Sequence, residues 1–142
     1  MAAEQRVCFS GLVRPGLKRG RQLGFPTANI EVDAKISGQL PRGVFAGRAH
    51  WEGENWRWAL TNIGTRPTFD PGDLSIEVYL LDFKGDLYGK TLQVELLRYL
   101  RGEKRFATVA DLIAQIEQDI EETRKFISNL DITNAMEVKI GD

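Results

Sequence analysis

The sequence predicts a mainly β fold, an antiparallel barrel followed by one long C-terminal α-helix. Short apolar runs separated by turn residues fill the first two thirds of the chain, a pattern typical of small β-barrels. In the last third, the apolar residues recur at helical spacing instead. With 142 residues and 42% hydrophobic content, the chain is long enough for one such domain built around one core.

Alternation and turn residues mark the strands. Polar residues and a glycine at 52–55 separate two apolar runs, which indicates a hairpin. Ile76, Val78 and Leu80 alternate with polar or aromatic neighbours, as in a strand with two different faces. Pro26 lacks a backbone N–H, so the segment around it is expected at a strand start or an edge. The expected strands are residues 6–13, 44–51, 56–63, 75–81 and a last one containing Leu92, Val94 and Leu96.

The C-terminal helix is expected to begin at Thr108, which with Asp111 three residues later forms a variant of the capping box. Its apolar stripe comprises Val109, Leu112, Ile113, Ile116, Ile120 and Ile127. The stripe stops there, so we assign residues 1–127 to the barrel and its helix and expect residues 128–142 to be a mobile tail. Arg124 and Lys125 are therefore expected near the helix end, where positive charge is favourable.

Composition excludes several kinds of chemistry and partner. The charges nearly cancel, with 19 basic and 20 acidic residues, so neither a nucleic acid nor an anionic membrane is expected as a partner. No window is apolar enough for a membrane span, and the first residues do not resemble a signal peptide. Cys8 is the only cysteine and His50 the only histidine, which excludes an intrachain disulfide and argues against a His-rich zinc site and Ser–His–Asp hydrolysis. A cytoplasmic location is expected.

The densest candidate cluster is the basic, glycine-rich segment 16–24. Its glycines would let the backbone approach an anion, and its cations would add positive charge. No Gly-Lys-Ser/Thr sequence follows, so the segment is not a Walker A loop. It fits either a polyphosphate-binding loop or a solvated basic hairpin. The residues concerned are Gly16, Lys18, Arg19, Gly20, Arg21 and Gly24.

Thr27 and Asn29 are the candidate metal ligands. Two residues apart in an extended segment, their side chains lie on the same side of the chain. A hydroxyl and an amide oxygen are hard ligands of the kind that Mg²⁺ accepts, with phosphates and water completing its shell. The alternative is turn chemistry, in which both side chains bind their own backbone.

Glu77 is the candidate base, because a carboxylate in mid-strand could accept a proton from an alcohol. The alternative is an ordinary solvent-facing strand residue. Arg101 and Glu103, close to Phe106, could grip a flat heterocycle or could simply belong to a charged connection. Asp82 and Asp86 flank a glycine turn, which favours a turn over a metal site.

Four sequence blocks, in this order and spacing, resemble the riboflavin kinase family, and the resemblance extends from about residue 7 to residue 127. The second and third blocks are closer to the bacterial branch. The blocks are LGFPTANI at 23–30, NIGTRPTF at 62–69, EVYLLDF at 77–83 with DLYG at 86–89, and Leu100-Arg101 with Glu103 and Phe106.

The resemblance implies a six-stranded Greek-key barrel with a C-terminal helix. It implies an ATP:riboflavin 5′-phosphotransferase that converts riboflavin to FMN, with ATP as co-substrate and Mg²⁺ as cofactor. Thr27 and Asn29 would hold the metal, and Glu77 would be the base. Segment 16–24, together with Pro26 and Thr27, would bind the nucleotide. The flavin would lie near Asn62, Arg101 and Glu103.

One departure from the family is Lys18, which occupies a position where the family usually has a glycine. Many bacterial relatives are fused to an FMN adenylyltransferase domain. This chain alone is not expected to make FAD, although such a domain could be a fused or separate partner. A monomer is expected.

Two other readings remain open at this point. One is a non-catalytic flavin- or nucleotide-binding module on the same barrel. The other is an oligonucleotide-binding barrel, which the near-neutral charge disfavours.

Overall fold

The computed structural model describes residues 6–14, 24–65 and 74–134, with side chains described as far as residue 130. This part of the chain contains six strands and two helices. In chain order they are β1 (Val7–Arg14), β2 (Ala28–Glu31), α1 (Ala34–Ser37), β3 (Gly43–His50), β4 (Arg57–Thr65), β5 (Leu74–Leu80), β6 (Thr91–Arg101) and α2 (Val109–Asn134).

The six strands close into one antiparallel barrel with the neighbour order β1-β2-β5-β4-β3-β6, and β6 pairs back with β1. Strands β3, β4 and β5 form a meander, while β2 lies beside β5, which is a Greek-key arrangement. The closed six-stranded antiparallel barrel with a C-terminal helix is therefore confirmed.

The alternation along β5 is confirmed as well. Ile76, Val78 and Leu80 are almost fully buried inside the barrel, whereas Glu77 and Tyr79 between them are half-buried on its outer face. Side chains from the other strands fill the interior in the same way. The buried core comprises Phe9, Val13, Ile30, Phe45, Ala49, Trp51, Ala59, Ile63, Ile76, Val78, Leu80, Leu87, Leu92, Val94 and Leu96.

Helix α2 packs against the outer face of the barrel over β3 and β4. Its first turn is fixed as the capping pattern predicted, because the backbone N–H of Asp111 donates to the Thr108 hydroxyl at 3.1 Å. A second apolar cluster joins helix and barrel and is composed of Val44, Leu60 and Leu81 with Tyr79, Leu100, Ile120 and Ile127. No helix in the described ranges is both long and apolar enough to cross a membrane.

The helix continues beyond the expected end at Ile127 and reaches Asn134. Leu130 lies three residues after Ile127 and is half-buried, so it prolongs the apolar stripe. Arg124 and Lys125 consequently lie inside the helix, and the expectation that they lie near its end was wrong. Residues 135–142, the rest of the expected tail, lie outside the described residues.

The short helix α1 was not predicted. It has four residues, fewer than the apolar period needs to become visible in the sequence. Its start is nevertheless marked by Asp33, whose carboxylate accepts a hydrogen bond of 2.9 Å from the backbone N–H of Ile36.

A buried ion pair crosses the outer face between β3 and β6. Arg48 and Glu95 are cross-strand partners, and the guanidinium Nε donates to the Glu95 carboxylate. Their side chains are 9% and 5% exposed. Arg6 binds the second oxygen of Glu95 at 3.1 Å. This cluster lies on the part of the barrel wall formed by β1, β6 and β3.

Candidate active site

The pairing of β2 with β5 brings Thr27 and Asn29 next to Glu77. Asn29 and Glu77 are direct cross-strand partners, so their side chains emerge on the same face. Thr27, just before β2, donates a hydrogen bond from its hydroxyl to Glu77 Oε1 at 2.9 Å. The three residues predicted to carry metal binding and proton transfer are therefore neighbours in space.

Strand β4 extends this group on the other side of β5. Asn62 is the cross-strand partner of Glu77 in the β4–β5 ladder. Ser75, two residues before Glu77, contributes a longer hydrogen bond of 3.5 Å to Oε2. A row of polar side chains thus crosses three adjacent strands on the outer face of the barrel, with the Glu77 carboxylate at its centre.

This row opens into a cavity of about 660 Å³ between the barrel wall, the connection after β6 and the first half of α2. Five of the predicted site residues line this cavity, namely Thr27, Asn62, Glu77, Arg101 and Glu103. The apolar part of the lining comes from the barrel, the connection and the helix, and includes Val44, Leu60, Phe106, Val109, Leu112 and Ile116. The cavity therefore joins a polar end at Glu77 to an apolar chamber beneath the helix.

Two aromatic rings stand at the Glu77 end of this cavity. Phe25 and Tyr79 both line it and contact each other edge to face, with 6.1 Å between ring centroids. Gly24, one residue before Phe25, has a positive φ of 92°, a conformation that glycine adopts at little cost. The chain therefore turns at Gly24 and enters the site through Phe25, Pro26 and Thr27.

Arg101 lies in the cavity wall, but most of its guanidinium is bound within the protein. Nε and Nη2 donate to the two carboxylate oxygens of Asp119 on α2, at 2.9 and 2.7 Å, and Nη1 donates to the carbonyl of Gly102. Gln115 also donates to Asp119, at 2.9 Å. Arg101 thus ties the end of β6 to the helix, which was not foreseen for a residue predicted to contact a heterocycle.

Glu103 is anchored on the opposite wall. Its Oε1 accepts a hydrogen bond of 3.2 Å from the backbone N–H of Thr65 in β4. The connection after β6 is thereby attached to the barrel through Glu103 and to the helix through a 2.9 Å hydrogen bond from Lys104 to Gln115. The two attachments fix the segment that closes one side of the cavity.

Asp119 was not predicted as a site residue from the sequence. A signal was present, because Asp119 lies on the helix face that carries Ile116 and Ile120 and would be expected to be apolar. Asp119 is only 4% exposed, and a carboxylate buried on such a face needs a partner. Arg101 provides it.

The residues that could hold a metal offer oxygen atoms only. Within the described ranges there is no group of three or more histidine, cysteine, aspartate or glutamate side chains that could bind a metal. A cation here would depend on the Thr27 hydroxyl and the Asn29 amide, next to the Glu77 carboxylate. This set fits Mg²⁺, which accepts few protein ligands when phosphates supply the others.

Asp82 and Asp86 are turn residues, as the glycine between them indicated. Asp86 accepts a hydrogen bond of 2.9 Å from the backbone N–H of Tyr88. Asp82 has a positive φ of 58° and pairs with Arg124 of the helix at 3.0 Å. The hydrogen bond from Arg124, assisted by its charge, lowers the pKa of the Asp82 carboxyl.

The predicted nucleotide-binding residues that lie outside the described part of the chain are Gly16, Lys18, Arg19, Gly20 and Arg21. Positions 66–69 of the second sequence block lie outside it as well. Their roles stay predictions.

Comparison with known proteins agrees with the sequence blocks. Residues 3–127 match the family model described as Flavokinase: Riboflavin kinase. The bifunctional riboflavin kinase/FMN adenylyltransferase of Bacillus subtilis is 40% identical over 129 residues, which cover 89% of this chain and 40% of that protein. The chain thus spans about two fifths of the length of this relative.

Two solved structures share the fold. Riboflavin kinase from Trypanosoma brucei has a TM-score of 0.67 and 25% identity, with 89% of this chain and 83% of that chain covered. A Streptococcus pneumoniae chain described as a macrolide-efflux protein has a TM-score of 0.71 and 31% identity, with 82% and 38% covered. With the family model matching nearly the whole chain, the protein belongs to the riboflavin kinase family.

Proposed function

We propose that this chain is a riboflavin kinase, which transfers the γ-phosphate of ATP to the ribityl 5′-hydroxyl of riboflavin and releases FMN and ADP. The observation that supports it most strongly is the Thr27–Glu77 hydrogen bond in the lining of a ligand-sized cavity. Family membership supports the same reaction.

Glu77 is proposed as the base. Phosphoryl transfer to an alcohol passes through a loose transition state, so the protein mainly positions the reactants and stabilises charge. The Glu77 carboxylate would hold the ribityl hydroxyl by accepting its hydrogen bond and would take its proton as the new O–P bond forms. The hydrogen bond from Thr27 keeps one carboxylate oxygen in place, which fixes the direction of the other.

Thr27 and Asn29 are proposed to hold Mg²⁺. The cation, when bound, would neutralise charge on the phosphate oxygens of ATP. The Thr27 hydroxyl can serve two partners, because its proton is donated to Glu77 while its lone pairs face away from that bond. Segment 16–24, with Gly24 and Pro26 at its exit, is proposed to cover the nucleotide phosphates.

The flavin is proposed to occupy the apolar chamber. A volume of about 660 Å³ is within the usual range for small-molecule sites, and its lining combines aliphatic residues with a few polar groups. Asn62, Arg101 and Glu103 are the polar groups proposed to contact the flavin. Arg101 would do so from the fixed position that Asp119 imposes.

The direct test is conversion. The purified chain is incubated with riboflavin, ATP and Mg²⁺, and riboflavin, FMN and FAD are separated by chromatography. FMN that forms only with both ATP and the metal is the expected result, with no FAD. Flavin binding without FMN would overturn the kinase assignment in favour of a non-catalytic flavin module.

The remaining proposals concern the setting of the enzyme. We expect a monomer in the cytoplasm, with no nucleic acid or membrane partner. The Bacillus subtilis relative is named for both a kinase and an FMN adenylyltransferase activity. An adenylyltransferase, fused or separate, is accordingly the expected consumer of FMN.

A further inference from the structure

Gly64 in β4 faces the Glu103 carboxylate so closely that no side chain could be added there without moving it. A Cβ built on Gly64 would lie 2.5 Å from Oε1 of Glu103 and 3.1 Å from its Cδ. The next residue, Thr65, donates its backbone N–H to the same oxygen at 3.2 Å. The Glu103 carboxylate therefore lies directly against the backbone of residues 64–65.

We propose that Gly64 is a positioning residue for the flavin site. Because Gly64 has no side chain, the Glu103 carboxylate can lie directly against the strand backbone at this position. This inference rests on the proposed kinase function. In this position against β4, Glu103 holds the connection after β6 on the barrel and presents a fixed wall to the flavin. A Glu103 carboxylate displaced from this position would turn into the cavity that it lines.

The backbone of Gly64 does not itself require glycine. It lies in a regular strand, paired with Ser75 of β5, and its φ is outside the left-handed region. The three atoms nearest to such a Cβ all belong to the end of one flexible side chain, Glu103. Gly64→Ala is thus expected to move that carboxylate while leaving the barrel folded.

The test is a double-mutant cycle with Gly64→Ala and Glu103→Ala. Each single variant is expected to raise the KM for riboflavin roughly tenfold, the effect of losing one hydrogen bond to a charged group, with kcat changed far less. Gly64→Ala should cost nothing more in the Glu103→Ala background, because the clash needs the carboxylate. Gly38→Ala is the matched control, since a Cβ there makes only ordinary contacts at 3.6 Å or more.

A second readout does not depend on turnover. The ¹⁵N–¹H resonance of Thr65 should shift in the same direction in both single variants, because both remove the carboxylate from its amide. Riboflavin affinity can be followed by quenching of flavin fluorescence with ADP and Mg²⁺ present. Thermal melting should show the Gly64→Ala variant as folded as the Gly38→Ala control.

The outcomes separate the two hypotheses. A normal riboflavin KM in Gly64→Ala, or effects that add fully in the double variant, would reject the positioning role of Gly64. Either result would leave the proposed kinase function unaffected. A shifted Thr65 resonance with no FMN from any variant, wild type included, would confirm the contact and reject the proposed function and, with it, the role in flavin positioning.

Discussion

The Thr27 hydroxyl donates a 2.9 Å hydrogen bond to the Glu77 carboxylate, although 50 residues separate the two in the chain. The Greek-key crossover produces this contact, because it places β2 beside β5 rather than beside β3. One hydroxyl thereby connects the proposed metal site to the proposed base.

We expect Thr27→Val to lower kcat by roughly tenfold or more, because it removes a hydrogen bond to a charged group and one metal ligand together. Thr27→Ser keeps the hydroxyl and should retain most of the activity. Initial rates at several Mg²⁺ concentrations measure both effects, and the valine variant should need more metal. Equal rates and equal metal requirements for the two variants would contradict a role for the hydroxyl.

Removing the carboxylate of Asp119 should be costly for stability. Asp119→Ala leaves the guanidinium of Arg101, which is 18% exposed, without its bidentate partner. A loss of about 3 kcal/mol in the free energy of unfolding is expected, the size measured when one member of a buried pair is removed. Urea denaturation provides the measurement. The Asp119→Ala, Arg101→Met double variant should recover part of that loss, and no recovery would show that the pair is not coupled.

The Arg48–Glu95 pair between β3 and β6 yields a second stability prediction. Glu95→Ala should lower the free energy of unfolding by about 3–5 kcal/mol, because Arg48 would remain buried without a counter-charge. Glu31→Ala is the matched control, since Glu31 pairs with Arg14 at 3.6 Å on the exposed surface and should contribute less than about 1 kcal/mol. Similar losses in the two variants would refute the distinction.

Cys8 provides a prediction about pH. Partial burial raises the pKa of the Cys8 thiol, and the nearby Glu95 carboxylate raises it further. The thiol binds its proton more tightly in the folded than in the unfolded state. This contribution to stability is complete below the unfolded pKa and is lost as the pH rises through the folded one. Alkylation by iodoacetamide should show a midpoint at higher pH for the folded chain than for the chain in urea. A lower midpoint in the folded chain would contradict the electrostatic picture.

The barrel could be predicted from the sequence, because the apolar residues that alternate along a strand are the ones that become buried. Ile76, Val78 and Leu80 are an example. The sequence was also sufficient to select Thr27, Asn29 and Glu77 as chemically suitable residues. Their proximity depends on the order of strands in the barrel, which local patterns do not encode. The resemblance to a known family supplied that information.

Other contacts could not be read from the chain for a similar reason. The pairing of Arg101 with Asp119 depends on where the helix crosses the barrel, and that crossing is set by tertiary packing. The end of the helix was placed too early because Ser128 and Asn129 interrupt the stripe that Leu130 resumes. Arg124 was assigned to the helix end, whereas it binds Asp82 at the end of β5.

Turnover of the Glu77→Gln variant tests most directly whether Glu77 is the base. Glutamine keeps the size of the side chain and can still accept a hydrogen bond, but it cannot take the proton. We predict that kcat falls by about 10²–10⁴-fold, the usual contribution of a general base, while riboflavin affinity changes little. Near-normal turnover in this variant would contradict the assignment.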